Sequence, residues 1–138
     1  MIKIIQPVYN RMIAHARDEA PSECCGLLAG PADCITGIDP MHNLSSDHPL
    51  VRDLNVPADR SLRYVMDPKE QFQVVKRIRA SGLTLMGIYH SHPHSAAFPS
   101  ETDVRLALAA DVFYIIISLA GIEANVRAFT IVDRKITE

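Results

Sequence analysis

The sequence predicts an α/β domain built on a mixed, curved β-sheet flanked by helices. Three observations carry that expectation. Helical and strand-like apolar patterns alternate along the chain, in the order helix, strands, helix, strand, helix, strands. One run, LTLMGIYHSHP from Leu83, is apolar on both faces, which fits a strand lying between covering layers. Two further runs, VFYIIISLAG and EANVRAFTIV, sit on either side of a glycine, Gly121, like the arms of a hairpin.

Each element has its own local reason. Pro7 and Pro21 bracket a segment that places Val8, Met12, Ala16 and Ala20 at helical spacing, so the first helix lies between them. ECCGLLAG, opening at Glu23, is a short apolar run with glycines and reads as a strand, and residues 34–38 read as a second. Residues 43–60 have no convincing period and carry Pro49 and Pro57 among serines and aspartates. A loop of that length is functional or mobile, and we expect it to be mobile when unliganded and to border a functional cleft. Residues 62–66 read as another strand. Pro68 opens a second helix with Phe72, Val75 and Ile78 on one side, and Gly82 ends it. After the central strand a loop spans 93–99. Ser100 then starts a third helix, running to Ala110.

Composition narrows the function. With 138 residues the chain suits one domain, 1–138, and folding at that size should bury roughly two-thirds of the unfolded chain's surface. Hydrophobic residues make up 48% and charged residues 22%, with a net charge of −2, so disorder is not expected. No basic stripe points to nucleic acid or an anionic membrane. The three cysteines, Cys24, Cys25 and Cys34, are an odd set that argues against a disulfide framework and for a reducing compartment. The start lacks a signal-peptide core, and the most apolar run, 112–120, falls well short of the ~20 residues a span needs. A soluble cytoplasmic protein is the expectation.

The chemistry is concentrated in HSHPHSAAFPSETD, from His90 to Asp103. Alternate side chains of a strand share a face, so His90 and His92 point the same way, continuing the face of Met86 and Ile88. Two imidazoles at the end of a buried strand are half a metal site. Pro93 holds His92 extended. Asp103 lies one turn inside the helix that Ser100 caps, near its positive end. If the intervening loop folds back, Asp103 completes a His–His–Asp set, and three protein ligands leave a fourth tetrahedral position open, as catalytic zinc requires. Taken singly, these residues have plainer readings. Asp103 is a helix-start carboxylate, Ser100 a cap, and Glu23 a surface charge at a strand start. His94 reads as a loop residue, and His15, His42 and His48 as surface or loop histidines. Cys24 and Cys25 face opposite ways on their strand, and Cys25, on the face of Glu23, reads as a packed thiol.

Taken together, these residues resemble a family motif. His-x-His, seven residues, Ser, two residues, Asp is the pattern of the JAMM, or MPN+, metalloproteases, and HSHPHSAAFPSETD matches it at every fixed position. PSECCGLLAG is similar to the family's upstream segment, in which a Glu precedes a Gly-Leu-Leu strand, and Asn43 and the stretch from Tyr64 to Asp67 fall in the family's order. The resemblance covers nearly the whole chain. It implies a single MPN-like domain with a cytidine-deaminase-like layout. It implies zinc held by His90, His92 and Asp103, with Glu23 as the general base that takes a proton from the attacking water. Ser100 would be the hydroxyl that steadies the oxyanion.

The resemblance implies cleavage of a peptide or isopeptide bond after the C-terminal Gly-Gly of a ubiquitin-like or β-grasp sulfur-carrier protein. Two other readings compete with it. One is a non-catalytic MPN scaffold or binding module, against which an intact Glu23 and Ser100 speak. The other is a zinc peptidase acting on cell-wall-type peptides, which only substrate screening separates. The sequence names neither the substrate nor the oligomeric state.

Overall fold

A computed structural model describes residues 2–138. Pro7 sits in the first turn of α1 (Gln6–Glu19), which buries Val8, Met12 and Ala16. β1 (Cys25–Gly30) is buried along its whole length. β2 (Gly37–Met41) follows, about three residues later than the 34–38 expected. Ile35 makes only an isolated bridge to Ile4, and the ladder with β1 begins at Gly37. Pro40 lies within β2, which an edge strand tolerates.

The long stretch after β2 is not free of structure. It holds a short helix, α2 (Pro49–Asp53), whose Val51 is buried. The strand expected at 62–66 does not form. Val65 donates to the side chain of Asn43 and accepts from Leu44 N–H, so this extended segment joins no ladder. Asp67 caps α3 (Pro68–Ala80), and Gly82, at φ 77°, turns the chain out of it. Of the three residues expected on the buried side of α3, Val75 and Ile78 pack inward, whereas Phe72 is exposed.

β3 (Thr84–His92) is the central strand. α4 (Glu101–Leu106) is shorter than the 100–110 helix expected. Past it, Ala109 is claimed by Tyr114, whose hydroxyl accepts from Ala109 N–H at 3.1 Å and donates to its carbonyl at 3.2 Å. β4 (Phe113–Ser118) and β5 (Asn125–Val132) form the hairpin around Gly121. β6 (Lys135–Thr137) was not foreseen, and it pairs with β5 across a turn in which Asp133 and Arg134 take positive φ.

The six strands make one sheet in the order β2-β1-β3-β4-β5-β6, mixed as expected. β3 runs parallel to β4 and antiparallel to β1. α1 covers one face with Met12, Leu28, Tyr89 and Ile115. α3 and α4 cover the other with Leu27, Ile88 and Tyr114. Among the described residues no helix is long and apolar enough to cross a membrane.

Candidate metal centre

Each site residue is placed by an ordinary structural rule. β1 pairs with β3 so that Cys25 lies opposite His90, and extending that register brings Glu23 level with His92. A bulge interrupts the pairing, where Leu28 faces Gly87 but Ala29 faces Leu85. It puts Met86 in the cluster under α1, while Ile88 stays with the opposite face. The expected alignment of Met86 with the histidines is therefore wrong, and that of Ile88 holds.

Asp103 arrives through the cap of α4. Ser100 Oγ accepts from Asp103 N–H at 3.1 Å, and Asp103 Oδ2 accepts from Ser100 N–H at 2.9 Å, a reciprocal capping box. The same Oδ2 lies 3.1 Å from His90 Nε2 and 3.1 Å from His92 Nε2, and the two Nε2 atoms are 3.1 Å apart. His92 Nδ1 donates to the Ala96 carbonyl at 2.8 Å, which leaves Nε2 with its lone pair facing the other two atoms. Glu23 joins them, and one ligand atom from each of Glu23, His90, His92 and Asp103 falls within 4.8 Å of the rest, all four residues being buried. Tyr64 stacks on the His90 ring, with centroids 4.5 Å apart.

The electrostatics separate the two carboxylates. Burial would raise Asp103, but the charge and hydrogen bond of His90, the hydrogen bond of His92 and that of Ser100 N–H outweigh it and hold the carboxyl well below its usual range. Glu23 goes the other way. Burial, reinforced by the Asp103 charge and only partly opposed by Arg63, pushes it up to about 9. Burial pulls His92 down, but its bonds to Asp103 and Ala96 raise it on balance.

A divalent metal ion fits these residues. Two imidazole nitrogens and an ionised carboxylate oxygen converge on one buried point. Metal–ligand bonds of about 2.0–2.1 Å in a tetrahedron put ligand atoms about 3.3 Å apart, close to the spacing seen here. Glu23 Oε1 is buried with no hydrogen-bond partner among the described residues, a costly state for a group with no further task.

The other sequence candidates lie elsewhere. His94 and His42 are exposed. His15 bonds Tyr89 on the α1 side, and His48 caps α2. Cys25 is buried in the apolar cluster with Met41, outside the four-residue group. Ser100 stands at the rim, its hydroxyl oxygen already an acceptor and its proton still able to donate. Sequence reasoning missed the stacking of Tyr64 and the burial of Arg63. It also missed an apolar groove of about 300 Å³ that runs from Asp103 past Ile88, Tyr64 and Leu106 to Leu50 and Leu54 of the long loop.

The profile of the prokaryotic homologs of the JAB domain matches residues 6–132. The chain belongs to that family. Relatives in it carry named activities. The CysO-cysteine peptidase of Mycobacterium tuberculosis is 36% identical over 131 residues, covering 94% of this chain and 82% of the relative. The desampylase of Haloferax volcanii is 35% identical over 116 residues, covering 81% and 76%. A protein of Desulfitobacterium hafniense, solved in solution, matches the fold with a TM-score of 0.80 at 33% identity, covering 99% of this chain and 88% of its own. This JAB-family chain is accordingly a hydrolytic enzyme of the peptidase type.

Proposed function

We propose that the chain is a zinc peptidase that cleaves a peptide or isopeptide bond after the C-terminal Gly-Gly of a ubiquitin-like or sulfur-carrier protein. The observation that carries the reading is the triangle of His90 Nε2, His92 Nε2 and Asp103 Oδ2, 3.1 Å on each side, with Glu23 beside it. His90, His92 and Asp103 would hold the zinc. Bound there, the ion would supply Lewis acidity and make a water nucleophilic at neutral pH.

The remaining chemistry belongs to the chain. Glu23 takes the proton of the attacking water and returns it to the leaving amine, a base and then an acid within reach of one reacting centre. The Ser100 hydroxyl donates to the oxygen of the attacked carbonyl as charge develops there. The groove beside Asp103 would receive an extended chain, and glycines would let that chain pass close to the metal ligands without side-chain clashes. The substrate class is supported by the relatives, one named a CysO-cysteine peptidase and the other a desampylase. The buried, unpartnered Glu23 oxygen argues against a passive scaffold, which would have no use for it. With its three cysteines free, the protein suits a reducing cytoplasm.

The test offers β-grasp proteins extended beyond Gly-Gly, unrelated peptides and cell-wall stem peptides to the zinc-loaded enzyme. Zinc-dependent release of the extension is expected, and Glu23→Gln should keep its zinc while losing about 10²- to 10⁴-fold in turnover. Cleavage of stem peptides alone would overturn the substrate assignment. Near-normal turnover by Glu23→Gln would remove Glu23 from the mechanism.

A further inference from the structure

Glu23 lies in the irregular link between α1 and β1, so no ladder holds its main chain. The 43–63 stretch holds it instead. Glu23 N–H donates to the Arg60 carbonyl at 2.8 Å, and its own carbonyl accepts from Asn43 Nδ2 at 3.0 Å. The next residue is tied to the ligand strand. Cys24 N–H donates to Ser91 Oγ at 2.8 Å, and Ser91 N–H donates to the Cys24 carbonyl at 3.2 Å. Ser91 stands between the two histidines on the opposite face of β3. The base is thus gripped from the strand on one side and from the loop on the other.

The loop side has an unusual brace. Arg63 is 0% exposed, and its hydrogen bonds go to neutral oxygens. It reaches the carbonyls of Leu44 at 2.6 Å, Pro57 at 2.9 Å and Ala58 at 3.2 Å, and Asn43 Oδ1 at 2.7 Å. Burying a guanidinium is costly unless its donors are filled, and here the fork draws separate points of the loop around one asparagine. Asn43 is fully engaged in turn. Its Oδ1 also accepts from Val65 N–H at 3.1 Å, and its Nδ2 also donates to the Arg63 carbonyl at 3.0 Å. Tyr64, which stacks on His90, lies between those two residues in the chain.

We propose that Asn43, braced by the buried Arg63, is a positioning residue that sets where the Glu23 carboxylate stands relative to the metal ligands. The inference rests on Glu23 being the general base. It makes the 43–63 loop part of the catalytic frame, because the loop holds the main chain of the base through the Asn43 amide and the Arg60 carbonyl.

Two variants test it on the zinc-loaded enzyme. Asn43→Asp keeps an acceptor for Arg63 and Val65 but loses the donor to Glu23. Arg63→Lys keeps the charge and loses the fork. Each should lower kcat about tenfold to a hundredfold, as a displaced catalytic group does, with KM and zinc content unchanged. The Glu23 amide should exchange faster in both. In a Glu23→Gln background neither should cost anything more, because the group they position is already disabled. An unchanged kcat with full zinc, or an equal loss in both backgrounds, would overturn the proposal. If one variant does not fold, the other completes the cycle. Failure of the base assignment itself shows separately, as normal turnover by the single Glu23→Gln variant.

Discussion

Glu23 should make the metal-free protein sensitive to rising pH, and the size of the effect follows from its burial. The side chain is 4% exposed, and burial with the Asp103 charge holds its carboxyl at about 9, against an ordinary 4.5. Between those values the folded protein keeps a proton that the unfolded chain has released. The unfolded state then binds fewer protons, so stability falls as pH rises through this window, with no penalty below it. Each pH unit costs at most ~1.4 kcal/mol, so the interval from about pH 5 to about pH 8 removes on the order of 4 kcal/mol. At an unfolding entropy of about 0.3 kcal/mol/K for a chain of this length, that is on the order of 10 °C in Tm. Glu23→Gln keeps the shape and abolishes the titration. Thermal melts of chelator-treated wild type and Glu23→Gln at both ends of the interval isolate the effect, because taking the difference cancels His92, Asp103 and every other shared group. The variant's advantage should grow by about 10 °C toward alkaline pH. Melting curves that stay parallel would show that Glu23 is not held protonated by its burial in the metal-free protein.

His92→Ala should abolish stoichiometric zinc, because two ligands make a poor site, and elemental analysis showing full occupancy would mean the ligands are wrong. Ser100→Ala removes a helix cap and a hydroxyl at once. It should lower stability by about 1 kcal/mol and turnover by about tenfold or more, read by melting and by kinetics on the zinc-loaded protein. Gly26→Ala should destabilise by roughly 1–3 kcal/mol, since overpacked cores cost that much. A Cβ there would stand 2.3 Å from the Tyr89 ring, which is wholly buried, and denaturant melts report the loss.

The metal ligands were legible because they follow periodicities the chain cannot avoid. A strand puts His90 and His92 on one face whatever surrounds it, and a proline before a serine announces the helix that carries Asp103. What sequence could not supply is the approach of separate segments. That Asp103 reaches both imidazoles depends on the return of the 93–99 loop, and only the family pattern pointed to it. Arg63 was hidden for a different reason. In the run LRYVM it reads as the exposed member of an alternating strand, and a fully buried arginine has no local signature when its partners are loop carbonyls. The short β6 was missed because its turn uses Asp133 and Arg134 at positive φ, where Asn-Gly would have been the visible signal. The bulge at Met86 was invisible for a related cause, since one extra residue leaves the apolar run intact and only reverses which face each member takes.

The position of the centre within the sheet explains why these segments meet there. Among the six described strands β3 and β4 are the one parallel pair, so the chain must cross from the end of β3 back to the start of β4. That crossover is the stretch holding α4, and its first turn is where Asp103 sits. The ligand histidines occupy the carboxyl end of β3, the end from which the crossover departs. A helix beginning just beyond a strand's carboxyl end directs its free N–H groups and positive pole back toward that end, which favours an ionised carboxylate in its first turn. α4 is short, so this contribution is modest beside the two imidazoles, but it acts in the same direction. On the other flank β1 runs antiparallel to β3, so its leading end lies at the same edge, and Glu23 stands two residues before that end. One mixed sheet thereby delivers two imidazoles, the ionised carboxylate of Asp103 and the carboxyl of Glu23 to a single edge. The Asn43–Arg63 hub reaches that edge from the loop that follows β2, and its amide meets the Glu23 carbonyl there.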